Sequence, residues 1–330
     1  MGLLVPVAEA IVAEHCYRKI EGDVLFIGRQ TTFIDAKSLD LLLGKYGLSV
    51  PAGFTYEFDS ETRGASGQRF ITDRCLMRSI GIEKVNFLDV TDYEGADIVH
   101  DLGYPVPDSL LDRYDFIYNG GCFDNMFNPG VAMINLSKML RSGGRVVCLE
   151  SASSWNSPYL IYSPGWFWDY YVTNAFADCK IYIGSYHDND DLFYGPWDWY
   201  YVNLTSANSD KNGGPPEAIE NNHLVIITVS EKGESSTSER QPIQHQYRLD
   251  DRLRKEFDRN AETMRVCKRP IILGREGKEC YDQYLTPLGK IGVGIHFRPF
   301  DQRLKKIVRR NRNALSTVVK VFKRELRRLM

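Results

Sequence analysis

Acidic and amide side chains stand at the ends of short apolar runs in the first half of this sequence. Asp89 ends one run, Asp101 ends the next, and Asn119 ends a third, where it is followed by Gly120 and Gly121. An ionised carboxylate is a strong hydrogen-bond acceptor, and glycine allows a close approach to the backbone because it has no side chain. These residue types predict a ligand-binding site, provided that the fold brings the ends of the runs together.

The runs themselves have the composition of buried parallel strands, since they are short, largely apolar and bounded by charge or glycine. They cover residues 24–28, 85–89, 96–101, 114–119 and 145–150. A helix is predicted between the last two, because Asn128 can cap it, Pro129 suits its first turn and Gly143 can end it. Strand, helix and strand in this order form a right-handed parallel unit. The sequence therefore predicts a doubly wound α/β domain, in which ligands bind at the carboxyl ends of the strands.

After residue 150 the pattern changes to a helix that opens at Ser163 and is followed by antiparallel strands. The predicted strands cover 179–186, 199–205 and 223–231. A polar, serine-rich stretch at 233–240 is typical of a linker, and a charged helix is predicted at 249–263. The predicted division of the chain is a domain at 1–232, a linker and accessory segment at 233–300, and a basic helix at 301–330. Residues 29–84 form an insertion between the first two strands of that domain.

The composition places the chain among globular proteins and excludes disordered, collagen-like and multispanning membrane classes. Hydrophobic residues make up 43% and charged residues 25% of the 330 residues, and no stretch approaches the ~20 apolar residues that span a bilayer. Glu9 and Glu14 interrupt the apolar start, which disfavours a signal peptide. Seven cysteines without a CxxC pair favour free thiols. Together these features predict a cytoplasmic protein.

The charge of the chain is unevenly distributed. Residues 301–330 contain eleven Lys/Arg and two Asp/Glu, a local charge of +9, whereas the other 300 residues sum to −11. Apolar residues recur every three or four positions in this basic tail, which predicts an amphipathic helix. The leading interpretation is attachment to the anionic inner surface of a membrane. The alternatives are docking on a partner protein or a second copy of the chain, and a nucleic-acid arm. Nucleic acid is disfavoured because phosphate would make no use of the apolar stripe.

The motifs of residues 85–150, taken in order and at their spacings, resemble those of class I S-adenosylmethionine-dependent methyltransferases. They are Asp89 at the end of the second strand, "ADIVHDL", "YDFIYNGGCFDNMFNP" and "MLRSGGRVV". The resemblance is closest to bacterial members found among sugar and surface-polysaccharide biosynthesis enzymes, and it covers about residues 20–231. It implies a Rossmann-like, mostly parallel sheet with antiparallel C-terminal strands, and S-adenosyl-L-methionine as the cofactor.

The resemblance also implies the role of each strand end. A carboxylate at Asp89 would accept hydrogen bonds from both ribose hydroxyls, and Asp101 would read the adenine amino group. At the end of the strand at 114–119, the backbone would approach the cofactor. The implied cofactor-binding residues at these three strand ends are Asp89, Val90, Asp101, Leu102, Asn119, Gly120 and Gly121. The alternative for both acids is a cap or turn role, and for the two glycines a tight turn alone.

The loop after the first strand departs from the family pattern. Gly28 is followed by Arg29 and Gln30, with no GxGxxG motif. A guanidinium fork matches a carboxylate, so Arg29 or Gln30 could bind the methionine carboxylate of the cofactor. The same departure raises the alternative of a methyltransferase-like fold without catalysis. An NAD-dependent dehydrogenase is disfavoured because the glycine fingerprint is missing.

Candidate catalytic residues follow the fourth strand and the first antiparallel strand. Transfer to a hydroxyl acceptor needs a base near the methyl group, and Asp124 is the ionisable carboxylate closest to the fourth strand, with Asn125 beside it to orient the acceptor. His187 offers a second base, and the acidic run 188–191 that follows it could bind a divalent ion or form a solvated loop. The alternative for Asp124 is a helix-start cap.

Aromatic residues give a clue to the acceptor. All five tryptophans lie between residues 155 and 199, and flat rings with polar edges are good platforms for sugars. One alternative is the stacking of nucleic-acid bases, which the acidic body disfavours. The other is a core packed by these rings. The leading prediction is a methyltransferase that O-methylates a sugar of a nucleotide sugar or surface glycan; the second is an inactive scaffold subunit of a glycan-biosynthesis complex.

Overall fold

A nine-stranded mixed sheet forms the centre of the fold. The computed structural model describes residues 2–65, 69–153, 158–187, 189–204, 219, 222–244, 247–265 and 284–292. Five strands are parallel: β1 (Val24–Ile27), β2 (Val85–Asp89), β3 (Ile98–Val99), β4 (Tyr114–Gly120) and β5 (Leu140–Ser151). Four are antiparallel: β6 (Asp178–Tyr186), β7 (Trp197–Val202), β8 (His223–Glu231) and β9 (Leu285–Ile291). Their order in the sheet is β3-β2-β1-β4-β5-β8-β6-β7-β9.

The parallel part of the sheet reverses its winding direction between β1 and β4. The chain runs outward from β1 to β2 and β3, then returns to place β4 and β5 on the other side of β1. This order, 3-2-1-4-5, belongs to doubly wound sheets that bind ligands in the crevice at the reversal. The predicted fold class is confirmed: a doubly wound, mostly parallel Rossmann-like sheet with antiparallel C-terminal strands.

Helices cover both faces of the sheet. They are α1 (Val5–Tyr17), α2 (Ala36–Lys45), α3 (Asp73–Ser79), α4 (Pro129–Met139), α5 (Pro164–Thr173), α6 (Asn189–Tyr194) and α7 (Asp251–Arg265). The first three pack against one set of alternating strand residues, which includes Phe26 and Phe87. Helices α4, α5 and α7 pack against the opposite set, which includes Leu25 and Ile117. Because strand side chains alternate between faces, both faces of the sheet are apolar and buried.

The apolar start of the chain is the buried helix α1, in which every residue from Val5 to Glu14 is buried. Its two acids are paired inside the fold. Glu14 accepts a 2.6 Å hydrogen bond from Nη1 of Arg145, and Glu9 accepts one of 2.7 Å from Nζ of Lys45. The Oε2 atom of Glu9 also accepts from the backbone N–H of Gly292. These acids therefore join α1 to α2, β5 and the end of β9.

The predicted boundary at residue 232 does not separate two units. The segment 233–300, predicted to be a linker and accessory segment, contributes β9 to the same sheet, where it pairs with β7. The serine-rich stretch is also packed on the body, because the hydroxyl of Tyr170 donates to the carbonyl of Ser238 and Thr237 bonds Asn174. The described part of 233–300 is therefore continuous with the α/β domain.

Several predictions lie outside the described residues, among them Trp155 and the basic tail at 301–330. The amphipathic character of the tail and its membrane or protein partner stay predictions. Within the described ranges, no helix has the length and apolarity that crossing a bilayer requires.

Helix α3 gives a first testable prediction, because Thr72 caps it. The Thr72 hydroxyl accepts the backbone N–H of Cys75 at 2.9 Å. We expect Thr72→Ala to lower the free energy of unfolding in urea by ~1 kcal/mol, the usual contribution of such a cap. Thr72→Ser keeps the hydroxyl and should stay within a few tenths of wild type. An equal loss in both variants would show that the methyl group, and not the cap, stabilises this site.

Candidate functional site

A cavity of about 330 Å³ lies where β1, β2, β3 and β4 end. It occupies the reversal of the sheet, the position at which doubly wound folds bind ligands. The described residues that line it are Ile27, Gly28, Gln30, Leu88, Asp89, Val90, His100, Asp101, Leu102, Gly120, Gly121, Cys122, Asn125 and Met126. The fold thus brings together strand ends that are up to about 100 residues apart in the sequence.

Nine of the thirteen predicted site residues line this cavity. They are Gly28, Gln30, Asp89, Val90, Asp101, Leu102, Gly120, Gly121 and Asn125. Four predicted residues are not among its lining: Arg29, Asn119, Asp124 and His187. His100 and Cys122 line the cavity as well, and Asp73 and Glu150 hold its loops, although none of these four is among the predicted site residues.

Glycine at two strand ends keeps the cavity open. Gly28 has φ +71, and an added Cβ would lie 3.3 Å from Oδ2 of Asp89. An added Cβ at Gly120 would lie 2.4 Å from Oε1 of Gln30, closer than atoms can approach. A side chain at Gly28 would therefore strain the backbone, and one at Gly120 would push Gln30 aside.

Asp89 presents one free carboxylate oxygen to the cavity. Its Oδ1 accepts the backbone N–H of Val90 at 2.6 Å and that of Thr91 at 3.4 Å, which is the turn role proposed as the alternative. Its Oδ2 accepts no hydrogen bond from the described residues and faces Gly28. The carboxylate can therefore stabilise its turn and bind a ligand hydroxyl at the same time.

Asp101 has a similar division of its two oxygens. Oδ1 accepts the backbone N–H of Gly103 at 2.8 Å, so this acid also stabilises a turn. Beside it, the His100 ring lies with Nε2 3.3 Å from the carbonyl of Tyr104. Among the described lining residues the ionisable groups are Asp89, Asp101, His100 and Cys122, and none is a lysine or arginine. Such a lining favours ligand groups that donate hydrogen bonds or carry positive charge.

Arg29 does not take the predicted role of binding a ligand carboxylate. Its Nε donates to Asp73 at 3.1–3.2 Å, its Nη1 donates to Glu61 at 2.6 Å, and its guanidinium lies 4.8 Å over the ring of Phe87. The side chain is 2% exposed. The guanidinium is thus engaged by protein carboxylates in the insertion and is directed away from the cavity lining.

Asp73, the first residue of α3, holds the loop that replaces a glycine-rich turn. Its carboxylate binds Arg29 and also accepts the backbone N–H of Gln30 at 2.8 Å and of Arg74 at 2.9 Å. Burial raises the pKa of Asp73, while the Arg29 charge and the N–H donors oppose this shift. The only sequence signal was a Thr-Asp pair before a helix, which predicts a cap and gives no indication of the Arg29 partner.

A buried polar network fixes the loop after β4. Glu150, near the end of β5, is fully buried and accepts the side-chain N–H of Asn119 at 2.7 Å and the backbone N–H groups of Phe123 and Asp124 at 3.2 and 2.9 Å. Burial, and next the charge of Asp124, raises the pKa of Glu150 well above its usual range. Asn119 also accepts the backbone N–H of Cys122. Asn119 therefore fixes the loop beside the cavity and does not itself line the cavity.

The predicted base, Asp124, belongs to this buried network. It is 1% exposed, it accepts the hydroxyl of Ser151 at 2.7 Å, and it accepts the amide of Asn125 at 2.6 Å. Burial raises its pKa. Because both oxygens have protein donors and neither lines the cavity, Asp124 orients Asn125, and we do not assign it as the base.

Neither His187 nor Cys122 supplies a base or nucleophile to the cavity. His187 is exposed and follows β6, two strands beyond β5 in the sheet, so it is not brought to the cavity. Burial is the main cause that raises the pKa of Cys122 to about 12, and a protonated thiol is a poor nucleophile. Among the described residues, no group of three His, Cys, Asp or Glu side chains could hold a metal ion.

The tryptophans form core and not a binding platform. Trp168 is 7% exposed in the cluster that contains Leu25 and Ile117, and Trp166 is partly buried against that cluster. Trp197 and Trp199 are 0% and 1% exposed in the cluster on the opposite face of the sheet. Trp199 stacks on Tyr182 with ring centroids 4.9 Å apart. The packed-core alternative therefore holds for Trp168, Trp197 and Trp199, and binding of sugar by these three rings is excluded by their burial.

No protein-family model matches the sequence, and no curated protein does. Solved structures do match. They include the CMeT domain of citrinin polyketide synthase (11% identity, 64% of this chain, 47% of that chain, TM-score 0.32). Another is 1,6-didemethyltoxoflavin-N1-methyltransferase of Burkholderia thailandensis (10%, 69%, 78%, TM-score 0.32). A third is phosphoethanolamine N-methyltransferase 2 of Haemonchus contortus (10%, 68%, 52%, TM-score 0.36). The chain spans about half the length of the first and third.

Proposed function

We propose that this protein is an S-adenosylmethionine-dependent methyltransferase. The observation that carries the proposal is the acceptor-rich cavity at the sheet reversal, with the free Oδ2 of Asp89 facing Gly28. Adenosylmethionine has hydrogen-bond donors in its adenine amino group, its ribose diol and its α-ammonium, and it also carries a cationic sulfonium and one carboxylate. These groups suit a lining with two carboxylates. The pyrophosphate of a dinucleotide does not, because the described lining has no lysine or arginine to balance its charge.

The residues present fit this cofactor, and each strand end has a task. Asp89 would accept hydrogen bonds from the ribose hydroxyls, and Asp101 and Leu102 would contact the adenine. The backbone at Gly120, which has no side chain, would leave room for the methionine end. When bound, the cofactor supplies an activated methyl group on a sulfonium that leaves as a neutral thioether. The chain then mainly aligns the acceptor with that methyl group, since holding two reactants in the right geometry lowers the barrier of such a transfer.

Asn125 is placed to orient the acceptor. Its amide nitrogen donates to the carbonyl of Gly121 at 2.9 Å and to Asp124, so the orientation of the amide is fixed and Oδ1 remains as an acceptor at the cavity. An acceptor hydroxyl or amine could donate to this oxygen. We keep the hydroxyl of a sugar as the proposed acceptor on the resemblance of residues 85–150; the buried tryptophans do not support it.

Calorimetric titration of the full chain with adenosylhomocysteine, the demethylated product, tests the cofactor. We expect saturable binding to one site per chain and no binding of NAD at the same concentrations. Binding of NAD without binding of adenosylhomocysteine would overturn the proposal in favour of a dehydrogenase. Methyl transfer from labelled adenosylmethionine to a panel of nucleotide sugars and glycans then tests the acceptor, and transfer to none of them would overturn the sugar assignment.

A further inference from the structure

Two exposed aromatic residues lie beside the cavity, on the loops that follow β4 and β5. Phe127 is 96% exposed and Tyr159 is 75% exposed. Phe127 follows Met126, which lines the cavity. Tyr159 lies against the same turn, because its backbone N–H donates to the carbonyl of Asp124 at 2.8 Å. Single exposed apolar residues are common, but large ones grouped at the mouth of a cavity mark a binding surface.

The segment that carries Tyr159 is anchored on the loop after β4. The backbone N–H of Leu160 also donates to the carbonyl of Asp124, at 3.2 Å. The hydroxyl of Tyr162 donates to the carbonyl of Phe123 at 3.0 Å, and this hydrogen bond is buried. Because the backbone that presents the exposed ring is already fixed, a ligand that stacks on the ring has little ordering of the chain to offset.

We infer that Phe127 and Tyr159 bind the methyl acceptor through an apolar ring face; the inference rests on the proposed function. Aromatic side chains stack on flat apolar faces, and both a pyranose ring and an aromatic ring have such a face. A ring bound beside this loop can turn its edge towards Oδ1 of Asn125, which remains as an acceptor at the cavity. A hydroxyl or amine on that edge would donate to this oxygen. The two exposed residues thus take the role that the sequence-based prediction assigned to the tryptophans.

Ligand-detected NMR on the full chain, saturated with adenosylhomocysteine, tests this assignment. Two neutral probes separate the two kinds of ring: methyl β-glucoside for a sugar and p-cresol for an aromatic ring. We expect at least one probe to bind wild type, and Phe127→Ala and Tyr159→Ala each to weaken its binding about tenfold. Both side chains are exposed, so the variants should keep the fold and bind adenosylhomocysteine within about twofold of wild type.

Tyr247→Ala is the matched control, since Tyr247 is 64% exposed and is absent from the described lining. It should bind the probe as wild type does. Asn125→Ala should weaken the probe as well, because it removes the acceptor for the donor on the ring edge, whereas incidental stacking on exposed rings would be unaffected.

Three results would overturn this inference. Neither probe binds the loaded wild type; or Phe127→Ala and Tyr159→Ala bind the probe as tightly as Tyr247→Ala does; or Asn125→Ala leaves its affinity unchanged. Each of these leaves the proposed function standing as long as adenosylhomocysteine binds. Failure of adenosylhomocysteine to bind wild type would remove the proposed function together with this inference.

Discussion

Asp89→Ala is expected to bind adenosylhomocysteine about 100-fold more weakly than wild type while keeping its fold. The free Oδ2 of Asp89 is the strongest acceptor that the cavity offers to a ribose diol. Hydrogen bonds to a charged group contribute about 1.5–3 kcal/mol, which corresponds to roughly one to two decades in affinity. The upper end is expected because one carboxylate would accept from two hydroxyls.

The loss of the turn should have only a small effect on stability, because the residue is partly exposed and the Val90 N–H that it leaves can bind water. Calorimetry gives the affinity, and urea unfolding gives the stability. Asp92→Ala is the matched control, since Asp92 is an exposed acid three residues further on and is absent from the described lining. Wild-type affinity in Asp89→Ala would show that another group binds the ribose.

The strands and helices near the cavity could be predicted because their signals are local. Runs of apolar residues ending at Gly28, Asp89 and Asn119 require only the composition of a buried parallel strand, and the reversal of the sheet then places their ends together. Strand β9 could not be predicted in this way. Its sequence, Leu285–Ile291, contains a proline and a glycine that disfavour strands, and distant contacts stabilise it there: its pairing with β7 and the hydrogen bond from the Gly292 N–H to Glu9.

The roles of individual polar residues depended on partners that are distant in the sequence. The sequence places Arg29 in the loop after β1, but Asp73, 44 residues away, decides where its guanidinium points. Glu150 ends an apolar run in the same way as Asp89, yet it is fully buried because β8 covers β5, whereas β3 has only two residues and leaves Asp89 partly open. Two acids with the same strand-end signal therefore differ in place: Asp89 lines the cavity, and Glu150 holds a buried loop.

Glu150→Ala is expected to destabilise the protein and to weaken cofactor binding together. The substitution leaves three buried donors without an acceptor: the Asn119 amide and the backbone N–H groups of Phe123 and Asp124. Each unsatisfied buried donor costs about 1–3 kcal/mol, so we expect the free energy of unfolding to fall by at least about 3 kcal/mol. The turn that these donors fix carries Cys122 and Asn125 to the cavity.

The pH dependence separates this network from a purely steric effect. The pKa of Glu150 is raised in the folded protein, so the folded state binds more protons than the unfolded state once the pH exceeds about 4.3, the usual glutamate value. The contribution of Glu150 to stability is then fully present below that pH and declines as the pH rises towards the folded pKa. The stability difference between wild type and Glu150→Ala should therefore be largest near pH 4.5 and shrink towards neutrality.

Glu150→Gln and Glu57→Ala are the matched controls for this prediction. Glutamine keeps an acceptor for Asn119 and Phe123 but turns an N–H towards that of Asp124, so the free energy of unfolding should fall less than in Glu150→Ala. Neither variant has a carboxyl group at position 150, so the stability difference between the two variants should lack the Glu150 pH dependence. Glu57 forms a partly exposed ion pair with Arg78, and its removal should cost at most about 1 kcal/mol. Chemical unfolding at several pH values measures all three variants. A stability difference for Glu150→Ala that grows with pH would contradict this prediction. It would mean that the three N–H donors stabilise the ionised carboxylate by more than burial destabilises it.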